Sequence, residues 1–171
     1  MDYALDEGPG GGLRLGLIVL SVDTGLEWEA RQVFAGRAAH VMHSRIPARD
    51  HVTPDDLAHM APELTRSAAL LPPGLGAVGY GCTSGATVIG PAEVAARVGE
   101  AHPGTPVTDP LSAVIAALGV LGVDRIGMVT PYLPEVVAPM QAALGAAGIE
   151  AVASESFGES DDRIVGRIPE A

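Results

Sequence analysis

The sequence predicts an α/β fold of two pseudo-symmetric lobes, with parallel sheets flanked by helices and the second lobe incomplete in this chain. Three observations carry that reading. Short, nearly all-apolar runs recur along the 171 residues, and segments that open with helix-capping residues separate them. The run Arg14-Leu15-Gly16-Leu17-Ile18-Val19 also returns in weakened form as Arg125-Ile126-Gly127-Met128-Val129-Thr130. Strands buried on both faces lack polar alternation, and strands that alternate with helices form parallel sheets with ligands at their carboxyl ends.

Taken in order, residues 13–22 (LRLGLIVLSV) form the first buried strand, and Asp23 and Thr24 offer caps to a helix over about 25–34. Residues 37–46 alternate enough to make a second strand. Thr53, followed by Pro54, Asp55 and Asp56, opens a helix that runs to about Leu71, where Pro72 and Pro73 stop it. Residues 75–81 form a third strand, after which Cys82-Thr83-Ser84-Gly85 turns into a helical region that includes 91–102. An edge strand at 105–108, a helix at 110–121, a strand at 125–130, a helix at 134–147 and a strand at 149–154 complete the series. Gly166 to Ala171 has the Pro and Glu of a first helical turn.

These elements divide the chain into an acidic, Gly-rich leader at 1–12 expected to be disordered, a first lobe at 13–109 that carries Cys82, and the start of a second lobe at 110–171. The interval from Arg14 to Cys82, counted again from Arg125, runs past Ala171, so a turn matching that of Cys82 is expected beyond that residue.

Composition narrows the function. Twenty-one acidic against 10 basic residues, a net charge of −11, repel phosphate backbones and anionic lipid, so nucleic acid and membrane are not expected partners. No apolar run reaches the roughly eighteen residues of a membrane helix, and the N-terminus lacks a signal-peptide pattern. With a single cysteine, a cytoplasmic protein with a free thiol is expected.

The chemistry centres on Cys82, placed by Gly79-Tyr80-Gly81 at a strand-to-helix turn beside Thr83 and Ser84. Backbone N–H groups at a helix entrance stabilise negative charge, so the thiol's pKa is expected to fall toward neutrality. The same donors suit a carboxylate or a developing enolate. A lone buried cysteine that only packs is the competing reading. His40, His43, His51, His59 and His102 show no metal-ligand spacing, and Gly10 to Gly12 precede a strand instead of following one, so neither a metal nor a cofactor is implied. Trp28, between Glu27 and Glu29, packs at a pocket edge or against a neighbour.

Three stretches, in order, resemble the Asp/Glu racemase superfamily: Gly81-Cys82-Thr83-Ser84-Gly85 after a strand, Thr130-Pro131-Tyr132 after a later strand, and Ile164-Val165-Gly166-Arg167-Ile168. The similarity runs from Leu13 onward and is greatest to the maleate isomerase and arylmalonate decarboxylase branch. It implies no cofactor, a site between the lobes, a homo-oligomer, and a small carboxylate or amino-acid-derived substrate. It also implies Cys82 as base or nucleophile, with a second-lobe cysteine opposite. Substrate binding would fall to Asp23, Thr24, Thr83, Ser84, Thr130 and Tyr132, the last as a hydrogen-bond donor. Maleate isomerases usually carry Asn where Asp23 and Asp162 stand, and an anionic wall repels a dicarboxylate and favours an amine or amide. Asp23 is equally well placed as a helix cap, and Asp161 and Asp162 as solvated loop acids. The Asp-Thr pattern resembles the ectoine-utilisation subgroup. The implied activity is a cofactor-independent, Cys-dependent isomerase or racemase that transfers a proton next to a carboxylate. An arylmalonate-type decarboxylase, a maleate cis-trans isomerase and a non-catalytic binding relative stay open as alternatives.

Overall fold

The structure is a computed structural model that describes residues 3–4 and 12–169. The leader expected at 1–12 lies, except for Tyr3, Ala4 and Gly12, outside the described residues.

Strands β1 (Leu13–Leu20), β2 (Ala39–Ile46), β3 (Ala77–Tyr80) and β4 (Val107–Thr108) make one all-parallel sheet in the order β2-β1-β3-β4. β1 pairs with β2 from Leu13↔Ala39 to Leu20↔Ile46 and with β3 from Leu15↔Ala77 to Ile18↔Tyr80. Because it is central, the carboxyl half of β1 has no room for polar side chains: Ile18 and Val19 are fully buried, as are Ile46 on β2 and Val78 on β3. Helix α1 (Leu26–Val33) follows β1. α2 (Pro54–Ala58), α3 (Leu64–Ala68), α4 (Thr83–Ile89) and α5 (Pro91–Ala101) then supply Leu57, Leu64, Ala86, Val94 and Val98 to the same core.

Two expected helices are each divided, and both breaks have a backbone cause. The one opened by Thr53, whose hydroxyl accepts the Asp56 N–H at 3.2 Å, ends at Ala58 and resumes at Leu64 after a 3-10 turn over Ala61–Glu63. Pro62 lacks an N–H, and its ring would collide with the Ala58 carbonyl in a continuous helix. Downstream of Cys82, Gly90 sits at φ +93 between α4 and α5, a conformation open to glycine, and Pro91 then starts α5.

The second sheet contains β5 (Arg125–Thr130) and β6 (Glu150–Ser156), parallel, with a register shift at Ile126/Gly127; it has two strands among the described residues. Helix α6 (Pro110–Leu121) is capped by Asp109, whose carboxylate accepts the Ser112 N–H at 3.0 Å, and ends at Gly122 in the left-handed region. Helix α7 (Pro134–Ala146) buries Val136, Val137, Met140 and Leu144. Val136 joins the first-lobe core, and α7 packs on α4, so the two sheets share apolar contacts. α8 (Asp162–Val165), a helix the sequence pattern did not reveal, follows β6. Gly166 and Arg167 turn, Ile168 and Pro169 are irregular, and the helix expected to start there would fall on residues outside the described ones. No helix among the described residues is long and apolar enough to cross a membrane.

Candidate active site

The carboxyl ends of β1, β3 and β5 and the start of α8 surround a cavity of about 520 Å³. Of the residues singled out in the sequence, Asp23, Thr24, Cys82, Thr83, Ser84, Tyr132 and Asp162 line it together. Thr130 does not: it is buried beneath the turn, its carbonyl accepting the Phe157 N–H at 3.0 Å and its hydroxyl without a partner among the described residues.

Cys82 is the N-cap of α4 in extended backbone, and its sulfur accepts the Gly85 N–H at 3.2 Å. Ser84 Oγ lies 3.6 Å from Sγ. The buried Tyr80 hydroxyl, near the thiol, donates to Met60 Sδ at 3.5 Å. Gly85 makes this packing possible, because a methyl there would meet the Tyr80 hydroxyl and would lie 2.9 Å from the Cys82 sulfur. Sulfur, hydroxyls and backbone converge too tightly for any side chain.

The expectation of a lowered thiol pKa is overturned. Burial pushes the Cys82 thiol up; hydrogen bonds from Ser84, the Gly85 N–H and Tyr80 oppose the rise, and the charge of Asp162 adds to it. Donors at a helix start stabilise a thiolate only if they outweigh the loss of water, and here they do not. Burial thus favours the protonated thiol over the thiolate. Burial likewise pushes Tyr132 up to about 12, with the Cys82 and Asp162 charges adding to the rise and hydrogen bonding with Ser84 and Thr83 opposing it. Its hydroxyl therefore stays protonated beside the sulfur, available to donate.

The acidic residues divide by partner. Asp23 Oδ1 accepts the N–H groups of Gly25 and Leu26, both at 2.8 Å, and so holds the start of α1. Asp162 is half-buried, and burial, then the charges of Asp23 and Asp161, raise its carboxyl above the ordinary range. Its position is a tertiary effect. Val52 N–H donates to Ser160 O at 2.7 Å and Asp162 N–H to Asp50 O at 2.9 Å, which ties the α8 segment to the loop before α2.

Two of the cations at the site, Arg45 and Arg163, were not singled out by the sequence. Arg45, at the end of β2, donates to the carbonyls of Leu20 at 3.0 Å and Asp23 at 2.8 Å and pairs with Glu27 at 2.9 Å, shaping the turn after β1. Arg163 lines the cavity, but its guanidinium is taken by Asp161 at 2.7 Å and Asp50 at 3.5 Å. Arg167 also lines the cavity and has no ion-pair partner among the described residues. It belongs to the Gly-Arg pair quoted above, a chemical clue that periodicity does not supply.

The parallel sheets that close on the Cys82 turn make a fold shared with solved isomerases and decarboxylases. Among solved structures, the chain is similar to the maleate isomerase of Pseudomonas putida S16, in a cysteine-to-alanine variant with maleate: 24% identity over 92% of this chain and 68% of that one, TM-score 0.77. It is similar to a maleate cis-trans isomerase of Nocardia farcinica, in a cysteine-to-serine variant with a covalently bound succinylcysteine intermediate: 24% identity over 93% of this chain and 69% of that one, TM-score 0.78. An arylmalonate decarboxylase variant in a liganded form matches at 22% identity over 92% and 67%, TM-score 0.75. No family model matches the sequence, and no curated protein does.

Proposed function

We propose that the protein is a cofactor-independent, Cys82-dependent isomerase or racemase that moves a proton next to the carboxylate of a small amino-acid-derived substrate. The observation that carries this reading is the buried thiol at the head of α4, held among Ser84, Tyr80 and Tyr132 on the wall of the 520 Å³ cavity. Both kinds of neighbour, isomerase and decarboxylase, support an enzyme that handles a carboxylate.

Removing a proton next to a carboxylate leaves the C–H electron pair in an enolate. Hydrogen-bond donors aimed at its oxygens lower that barrier. Tyr132, Thr83 and Ser84 are the donors on this wall. Asp23, Glu29 and Asp162 make the lining anionic, which repels a plain dicarboxylate and accepts an ammonium or amide. Arg167 offers a planar cation to a carboxylate. The lobes we assign are 13–109 and from 110 onward, with the site between them, in a cytoplasmic homo-oligomer. The ectoine-utilisation subgroup is the branch we favour.

Amino-acid-derived carboxylates incubated in D₂O should exchange their Cα hydrogen, read by NMR, and Cys82→Ser should slow that exchange at least about a hundredfold. A Cys82→Ser variant as fast as the parent would end the proposal. Carbon dioxide release from arylmalonates without exchange would move the assignment to the decarboxylase reading, which the 22%-identical neighbour supports. Binding with no turnover of any kind would leave a non-catalytic relative.

A further inference from the structure

Tyr80 is fully buried at the end of β3, and its hydroxyl makes one hydrogen bond among the described residues, to the Met60 thioether at 3.5 Å. A thioether is a weak acceptor, and a buried tyrosine hydroxyl ordinarily finds a stronger one. The stronger one lies beside it. A methyl built on Gly85 would meet the Tyr80 hydroxyl, the Cys82 sulfur at 2.9 Å and the Met60 Cε at 3.0 Å, so one point on α4 touches all three groups. The Cys82 N–H also donates to the Tyr80 carbonyl at 3.1 Å, which fixes the spacing of the two residues. Tyr80 does not line the substrate cavity, so its hydroxyl approaches the thiol from the core, whereas Ser84 shares the cavity wall with the sulfur.

Whichever group exchanges protons with Cys82, the sulfur carries negative charge for part of the cycle. A thiolate accepts a hydrogen bond far more strongly than a thioether does, because charge-assisted bonds are roughly twice as strong as neutral ones. The hydroxyl is shut off from solvent, so no water competes for its proton, and rotation about the C–O bond is enough to redirect it. A bond made only in the charged state stabilises that state relative to the resting one, which is the condition for a catalytic effect. Burial pushes the phenol well above its ordinary pKa, so Tyr80 keeps its proton while donating. The titratable groups that face the thiol are Tyr80 from β3, Tyr132 after β5 and Asp162 at the head of α8; Asp23, Glu29, Arg163 and Arg167 share the cavity lining with it.

We propose that Tyr80 is a positioning residue for the thiol, a core-side hydroxyl that donates to Met60 while Cys82 is protonated and turns to the sulfur when Cys82 becomes a thiolate. The inference rests on the proton-transfer reading of Cys82. Tyr80 itself gains and loses no proton, so it serves any partner that protonates or deprotonates the sulfur.

The test follows alkylation of Cys82 by iodoacetamide against pH in the full chain, read by mass spectrometry on the peptide that carries it, and needs no substrate. Tyr80→Phe removes the hydroxyl alone and should slow alkylation at pH 8 at least about threefold, half a unit of thiol pKa. Met60→Leu has a similar volume and removes the competing acceptor, so it should speed alkylation about twofold or more. In Tyr80→Phe, Cα exchange should fall about tenfold in kcat with KM unchanged, because the lost bond is made to a charge and not to the substrate. Circular dichroism of both variants should match the parent. An unchanged pH profile in Tyr80→Phe overturns the inference, and so does slower alkylation in both variants, which would mark a packing effect. Should Tyr80→Phe not fold, Met60→Leu decides: faster alkylation supports the inference, and an unchanged or slower rate overturns it. Absence of Cα exchange from every carboxylate in the parent, with alkylation still slowed by Tyr80→Phe, overturns the proton-transfer reading and leaves the hold of Tyr80 on the thiolate standing, so the two failures are distinct.

Discussion

β1 and β5 begin with nearly the same residues, Arg-Leu-Gly-Leu-Ile-Val and Arg-Ile-Gly-Met-Val-Thr, yet they sit in different surroundings. β1 has a partner on each edge and helices over its faces, and from Gly16 on four of its residues are buried and Leu17 is half-buried, with Ile18 and Val19 fully enclosed. β5 has β6 on one edge, and Thr130 is its one buried residue, while Val129 is 71% exposed. Burial is a property of the layers that reach a strand, so among the described residues one pattern gives a core element in the first sheet and a half-covered one in the second.

The sharpest way to break this comparison is to shorten equivalent side chains in both strands. Ile18→Ala should destabilise by about 2–5 kcal/mol in urea or guanidinium unfolding, against about 0.5 kcal/mol or less for Val129→Ala; equal losses would mean that the two strands share one degree of burial. Glycines give a smaller contrast. Gly85→Ala, which forces apart the Tyr80 hydroxyl and the Cys82 sulfur, should cost about 1–3 kcal/mol, whereas Gly127 on β5 has nothing within 4 Å of a built Cβ and its Ala variant should be close to neutral. Amide exchange should grade the lobes more finely: N–H groups of Ile18 and Val19 are expected to outlast those of β5 and β6 by at least about tenfold, since local opening is cheapest where few apolar contacts must be broken. Uniform protection would show one cooperative unit.

The smallest effect concerns pH. A raised carboxyl pKa means that the native state holds the Asp162 proton more tightly than the unfolded chain does, so stability declines as pH rises from the ordinary 3.8 through the native value. Asp162→Asn removes this dependence. Its melting temperature should therefore gain on the parent's as pH goes from 4 to 7, and parallel curves would contradict the burial and charge found around that carboxyl.

Much of the site was legible because its residues follow strands. Ser21–Thr24, Gly81–Ser84 and the Tyr132 turn each succeed an apolar run, and ligands gather at the carboxyl ends of parallel strands whatever the loops contain. The interrupted helices were harder to see. Apolar spacing continues across Pro62 and Gly90, and only the backbone geometry at those residues divides the segments. α8 has four residues, too few for any periodicity, and hangs on the Val52–Ser160 and Asp162–Asp50 hydrogen bonds between distant segments.

By itself, then, the sequence determined the alternation of strands and helices, the internal repeat and the place of the thiol at a strand end, because these depend on neighbours in the chain. Tertiary structure alone decided which groups share the cavity and how they ionise. Asp162 meets Cys82 and Asp23 only when the α8 segment folds back on the first sheet, and Thr130 turns inward beneath the same turn that presents Tyr132. The thiol's ionisation follows the same rule. Its helix-cap donors can be read from the chain, but the burial and the nearby carboxylate that outweigh them come from residues far away in sequence, and desolvation and charge act through space.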